Sequence, residues 1–327
     1  MMDIEVQELK KIYRIPRPYT GFLGAVRSLL HREYEYKSAL AGISFSVSRG
    51  ELVGYIGPNG AGKSTTVKIL TGILTPDAGS VRVMGKTPWK HRIETVRNLG
   101  VVFGQRTQLW WDLPVSESFS LLKTIYDVSD VAYRTTLEYL VETLDLSSLL
   151  HFPVRQLSLG QRMRCDIAAS LLHSPSILFL DEPTIGLDAV SKLAVRDVIR
   201  HVNQDKKLTI MLTTHDMDDI ESLCSRVLVI NEGAICFDGP LDVVRKSIAP
   251  ERYLIVDLLD EKDSVKDDEA VFVNQEGHRV WLSFYPEKTK TPDLISRILA
   301  NHPIRDLFVE DPSIEEIIAR FYRRNSV

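Results

Sequence analysis

The nine residues "GPNGAGKST" at 57–65 constrain this chain more than any other stretch. They match the spacing G-x-x-x-x-G-K-[ST] and stand between strand-like "ELVGYI" and helix-like "TTVKIL". Gly57, Gly60 and Gly62 let successive backbone N–H groups turn toward phosphate oxygens, and Pro58, Asn59 and Ala61 complete the loop between them. The N-terminus of the helix that follows adds its dipole at the same place. Lys63 then reaches the β- and γ-phosphates, the Ser64 hydroxyl is a ligand for Mg²⁺, and Thr65 closes the motif. The competing reading is a glycine-rich turn with a surface lysine, and the strand before and helix after weigh against it. Such a loop needs a strand ending beneath it and a helix starting from it, which makes the fold α/β. It does not choose among the many activities built on loops of this kind.

The rest of the chain alternates in the same sense as far as Gly239–Pro240. "MDIEVQELKKIY" alternates as a strand, "GISFSVSRGELVGYIG" reads as two short strands around Arg49–Gly50, and "LGVVFGQ" is a buried strand ending at a loop. Residues 115–150 are mostly helical, "SILFLDE" and "LTIMLTTH" are apolar strands separated by a helix from Val190 to Asn203, and "RVLVINEGAICFDG" turns at Glu232–Gly233. Strands alternating with helices predict a largely parallel sheet. Beyond it, "RYLIVDLL", "AVFVNQ" and "RVWLSFY" are strand-like, and helices near 292–301 and 313–323 flank one more short strand. The expected division is therefore 1–240 and 241–327, the second part a small accessory α+β domain. An insertion at about 15–33 places Phe22, Leu23, Val26, Leu29 and Leu30 at helical spacing, with Arg27, His31 and Arg32 interleaved. That helix is expected to pack on its own domain in preference to a membrane protein or the lipid interface.

Charge and composition exclude more than they specify. The net charge of −4 gives no basic field for nucleic acid, no run of about 18 apolar residues could span a bilayer, and three scattered cysteines lack metal-ligand spacing. Two acids, Asp181 and Glu182, end the strand "SILFLDE", at the sheet edge where ligands of parallel sheets sit. Asp181 suits a water-mediated hold on Mg²⁺, and Glu182 suits a general base on an attacking water. His215, ending "TIMLTTH", can hydrogen-bond the γ-phosphate and hold the water–glutamate pair. Ser158 in "RQLSLGQRMR" reads as an N-cap and Gly160 lets backbone come close, so this helix start suits an anion, although on these residues alone a capped surface helix is the stronger reading. "NQDK" at 203–206 only superficially resembles a guanine-reading motif, because it follows a helix and not a strand.

Six motifs in a fixed order then give a resemblance covering roughly residues 1–240: "GPNGAGKST", Gln105 in "VVFGQ", "LSLGQ", "ILFLDE", "IGLD" and His215. The chain resembles the ATP-binding subunits of ABC transporters, and within them the ABC-2-type exporter ATPases, including a bacterial multidrug or viologen-efflux group. The resemblance implies a P-loop NTPase core, its mostly parallel sheet joined by an antiparallel β subdomain and a helical subdomain. It implies ATP and Mg²⁺ as cofactors, with Ser64, Gln105 and Asp181 toward the metal and Lys63, Gln105, Glu182 and His215 in catalysis. Ser158, Gly160 and Gln161 of one subunit would close on the γ-phosphate held by another, with Asp188 touching the opposite subunit. Tyr34, 23 residues before Gly57, fits the aromatic that stacks on adenine, with Tyr36 and Tyr13 as competitors. The implied partners are a second ATPase subunit, identical or paralogous, and separately encoded permease subunits, with no nucleic acid. The implied location is the cytoplasmic face of the plasma membrane. A polysaccharide- or lipid-exporting ATPase and a soluble ABC ATPase are the alternatives. Trp110 and Trp111 border either a groove for the permease or the core of the helical subdomain. Leu159, where the family commonly has glycine, is expected to point away from the phosphate.

Overall fold

The structure is a computed structural model that describes residues 2–16, 34–104, 106–248, 250–261, 265–313, 315–318 and 320. Gln105 and nearly all of the 15–33 insertion lie outside the described residues, so the roles expected there stay as sequence readings. The chain forms two units, Met1–Gly239 and Pro240–Val327.

In the first unit the strands are β1 (Met2–Pro16), β2 (Tyr34–Ser48), β3 (Leu52–Ile56), β4 (Ala78–Val83), β5 (Leu99–Phe103), β6 (Ile177–Asp181), β7 (Thr209–Thr213), β8 (Arg226–Asn231) and β9 (Ala234–Pro240). β2, β1 and β4 make an antiparallel sheet in that order. The others make a six-stranded sheet in the order β5-β6-β7-β3-β8-β9, parallel from β5 through β8. β3 and β7 are buried at every position, which is why "LVGYI" and "TIMLT" read as unbroken apolar runs. Helices Val115–Ile125, Asp130–Thr143 and Leu159–Leu171 fill the span between β5 and β6, and Ala189–Lys206 joins β6 to β7. One apolar cluster joins the two sheets, from Ile4, Val6 and Leu9 through Val67 and Leu70 to Phe179 and Met211.

β2 differs from the sequence expectation. It begins at Tyr34 and pairs with β1 along its whole length, from Met2 opposite Ser48 to Pro16 opposite Tyr34. "YEYKSALA" has no strand pattern of its own, because its early residues are mostly exposed. Its extended form is set by the partner strand.

In the second unit, β10 (Arg252–Leu258), β11 (Val271–Glu276), β12 (Arg279–Phe284) and β13 (Ile304–Glu310) form an antiparallel sheet in the order β11-β12-β10-β13. Leu254, Val256 and Leu258 of β10 and Val280, Leu282 and Phe284 of β12 share one apolar cluster with Leu294 and Ile298 of the Thr291–Asn301 helix. The period of two on the strands, against positions four apart on the helix, is the pattern of an α+β layer.

A buried charge network in the first unit fixes the loops that follow β6 and β7. Arg196, on the helix between those strands, donates from Nε to Asp219 Oδ1 at 2.6 Å and from Nη2 to Asp216 Oδ1 at 3.2 Å. Asp219, fully buried, also accepts from the hydroxyls of Thr214, at 3.2 Å, and Thr184. Thr184 stands two residues after Glu182 and Thr214 one before His215. We predict that Arg196→Ala, which strands the Asp219 carboxylate, lowers unfolding stability by about 3–5 kcal/mol in a urea melt.

Candidate active site

The in-register ends of β5, β6, β7 and β3 build the site. Phe103 pairs with Asp181, Asp181 with Thr213, and Thr213 with Tyr55. The residues that follow each strand therefore emerge side by side: Gly104, Glu182, Thr214 and the 57–65 loop. Lys63, the first residue of the Lys63–Leu70 helix, is buried and donates from Nζ to the carbonyls of Gly57, at 2.6 Å, and Pro58, at 3.2 Å. Burial lowers its pKa, while the charges of Glu182 and Asp181 oppose that shift. The ammonium and both carboxylates thus share one electrostatic environment.

Ser64 Oγ donates to Asp181 Oδ2 at 3.4 Å, and the Thr213 hydroxyl donates to the other Asp181 oxygen. A hydroxyl and a carboxylate so placed are a hard-oxygen pair suited to Mg²⁺. Thr213 was not singled out in the sequence, because its role depends on its register with Asp181.

Glu182 Oε2 lies 2.5 Å from His215 Nδ1. The Glu182 backbone is left-handed, with φ of 57°, a conformation that costs a non-glycine residue energy and concentrates at functional sites. Its N–H donates to Thr213 O at 2.8 Å, and a Cβ on Gly104 would stand 1.9 Å from its carbonyl oxygen. Only glycine therefore fits immediately before Gln105.

Ser158 caps the Leu159–Leu171 helix in a reciprocal box: its hydroxyl accepts from Gln161 N at 3.2 Å, and Gln161 Oε1 accepts from Ser158 N at 2.9 Å. Asp188 caps the Ala189–Lys206 helix, accepting from Ser191 N at 2.9 Å and Ser191 Oγ at 2.8 Å, and these bonds hold its pKa below the usual carboxylate range. The same Ser191 lies against Gly160, where a Cβ would come within 2.5 Å of its hydroxyl. The half-buried Leu159 packs toward Gly186, with its Cδ2 3.3 Å from where a Cβ on that glycine would stand. "LSLGQ" and "IGLD" of one chain therefore meet.

Two other expectations are resolved by exposure and position. Trp110 and Trp111 are 39% and 50% exposed, so they are not the core of the helical subdomain. Asn203 of "NQDK" donates from its side-chain amide to the carbonyls of Gly50 and Leu208, where it ties helix end to turn. Of the aromatic candidates, Tyr13 brings its hydroxyl within 3.4 Å of Thr65 Oγ1. Tyr34 sits at the far end of the β1–β2 pair with the Arg14 guanidinium 3.4 Å over its ring, and Tyr36 is 68% exposed. A cavity of about 450 Å³ lies elsewhere, lined by Arg49, Tyr139, Leu171 and Lys206 among others, and none of the site residues borders it.

The fold and site define a P-loop ATPase: phosphate loop, paired acids and histidine at the carboxyl edge of a parallel sheet. Residues 40–185 match the family model described as ABC transporter. Over 225 residues the chain is 33% identical to the daunorubicin resistance ATP-binding protein DrrA3 of Streptomyces coeruleorubidus, a match covering 69% of this chain and 71% of that one. It is 37% identical to the Nod factor export ATP-binding protein I of Ralstonia nicotianae over 204 residues, which are 62% of this chain and 63% of that relative. It also superposes, at a TM-score of 0.59 and 24% identity, on a dimeric post-hydrolysis structure of the ATP-binding cassette MJ0796 bound to ADP and Pi, covering 73% of this chain and 98% of that one. The chain belongs to the ABC transporter ATP-binding family, and the relatives named here are ATP-binding proteins of export and drug-resistance systems. Among the described residues no helix is long and apolar enough to cross a membrane.

Asp166 is a further ionisable group beside this site. It is 4% exposed and accepts from Thr107 Oγ1 at 2.8 Å and from Gln108 N at 3.0 Å. Burial raises its pKa to about 6 against the lowering effect of those two bonds and of Arg162. A folded pKa above the unfolded one means that this group costs stability as pH rises from about 4 through about 6, and that the cost is complete above it. We predict that Asp166→Asn unfolds at higher urea than the wild type at about pH 8, by up to roughly 3 kcal/mol, and that the gain falls to about half near pH 5.

Proposed function

We propose that this chain is the ATP-hydrolysing subunit that energises a separately encoded exporter permease from the cytoplasmic face of the membrane. The observation that carries the proposal is the grouping of Lys63, Ser64, Asp181, Glu182 and His215 around one loop. In this reading the backbone of Gly57–Gly62 and the Lys63 ammonium bind the β- and γ-phosphates of ATP. Ser64, Asp181 and Gln105 are the residues assigned to Mg²⁺, which when bound withdraws charge from the phosphates. Glu182 takes the proton of the attacking water, and His215, hydrogen-bonded to that carboxylate, keeps it aimed.

Two subunits complete the reaction. Ser158, Gly160 and Gln161 of one subunit close on the γ-phosphate held by the loop of the other, and Asp188 meets the opposite subunit. The dimeric ADP- and Pi-bound state of the similar cassette supports this, as does the single unit that Ser191 makes of the two elements. Closing and reopening of the dimer works the permease. Export, as opposed to uptake, is supported by the relatives.

The test of the base is Glu182→Gln, expected to hold MgATP in a stable dimer by size-exclusion chromatography while hydrolysis falls by at least 100-fold. Full turnover in that variant would remove Glu182 from the role.

We also propose Tyr13, in place of Tyr34, as the adenine platform, on the strength of its distance to Thr65. Loss of one stacked base costs about 1–3 kcal/mol, so Tyr13→Ala should raise the KM for ATP roughly 10-fold while Tyr34→Ala leaves it unchanged. The opposite result returns the role to Tyr34.

A further inference from the structure

The loop from Thr107 to Leu113, just after Gln105, is fastened at both ends to the helix that carries Ser158 and to its lead-in. At one end two donors converge on a single oxygen, since Thr107 Oγ1 and Gln108 N both bond Asp166 Oδ1. Gln108 Nε2 adds a 2.9 Å bond to the Asp166 carbonyl, and Thr107 Oγ1 accepts from Leu109 N at 3.1 Å. At the other end Val154 N donates to Leu113 O at 3.1 Å and Arg155 N to Trp111 O at 3.0 Å, with an Arg155–Asp112 ion pair at 2.9 Å. Between these anchors the Arg162 guanidinium lies 5.5 Å from the Trp111 ring centre. Arg162 and Asp166 stand four residues apart on the same helix, so both hold the loop from one face.

Asp166 is out of place by ordinary rules. A buried carboxylate that is in no ion pair among the described residues is costly. The cost has a structural return: without the carboxylate, the Thr107 hydroxyl and the Gln108 N–H lose their shared acceptor. Both bonds end on the same oxygen, so one carbonyl-type oxygen is all that the joint needs.

We propose that Asp166 is a positioning residue that fastens the loop after Gln105 to the Leu159–Leu171 helix, so that this loop and Ser158 respond to nucleotide as one body. The proposal rests on the ATP-binding reading given above. Its content is mechanical. A change at Gln105 reaches the partner-facing Ser158 through Thr107, Gln108 and Asp166. The same joint carries force from the exposed tryptophans to the helix start.

The test uses the full chain carrying Glu182→Gln, to hold ATP, together with Trp89→Phe and Trp281→Phe, so that Trp110 and Trp111 are the only tryptophans left. MgATP is the probe, its binding is followed with a fluorescent ATP analogue, and tryptophan emission is read on saturation. The expected result is a nucleotide-dependent emission change in the parent that Asp166→Asn retains and Asp166→Ala reduces at least fivefold, with ATP affinity kept within about twofold. A merely structural role would lower the melting temperature of Asp166→Ala and leave the emission change of the folded protein intact, which would overturn the proposal. Thr107→Val removes one donor without touching the helix. It covers the case in which Asp166→Ala does not fold, and an undiminished emission change in it would equally overturn the joint. A parent that binds MgATP without any emission change also overturns the joint, whereas a parent that binds no MgATP overturns the ATP-binding reading instead.

Discussion

The pairing of β6 with β7, which sets Asp181 opposite Thr213, is the constraint on which the rest of the site depends. Because β5, β6, β7 and β3 are parallel and level, their following loops leave the sheet at one edge. Thr213 turns that register into chemistry by donating to Asp181, whose other oxygen meets Ser64. A slip of one residue in β6 would turn Asp181 to the opposite face, and one in β7 would turn Thr213, either of which separates these groups. Complete burial of β3 and β7 opposes such a slip, because it would exchange every packed side chain.

The loops carry the strain that the sheet makes affordable. Glu182 holds a left-handed backbone while its N–H bonds Thr213 O and its carbonyl occupies space that a Cβ on Gly104 would need. Two residues further, Thr184 reaches the Asp219 carboxylate, which Arg196 neutralises. Thr214 does the same from the loop that bears His215. The loops that bear the glutamate and the histidine are thus tied from behind to one buried carboxylate, and the two side chains meet at 2.5 Å. Rigid support behind a strained backbone holds the Glu182 carboxylate in one orientation, so that no reorganisation is needed to aim it.

The helix starts at Ser158 and Asp188 are organised in a comparable way. Ser158 and Asp188 cap different helices, yet Ser191 bonds Asp188 and fills the space beside Gly160. Leu159, the departure from the common family form, packs toward Gly186 of the same group. Its bulk therefore lies within the joint between the two motifs. The pair of motifs reads as a single presenting surface, linked through Asp166 to the loop behind it.

The sequence by itself determined the 57–65 loop between its strand and helix, the two acids at a strand end, the histidine after another and the helix cap, because each depends on local spacing and on the strand or helix that bears it. The apolar runs of β3, β6 and β7 were legible for the same reason, as were the alternating strands of the second unit. Tertiary structure decided what depends on a partner far along the chain. The length of β2 comes from its pairing with β1, Thr213 gains its role from register, and Tyr13 approaches Thr65 only because the antiparallel sheet lies beside the loop. Asp166 had no legible signal, since it stands where helix periodicity asks only for a buried residue. Its meaning lies in donors 58 and 59 residues away, and a separation of that kind is closed by packing and not by local pattern.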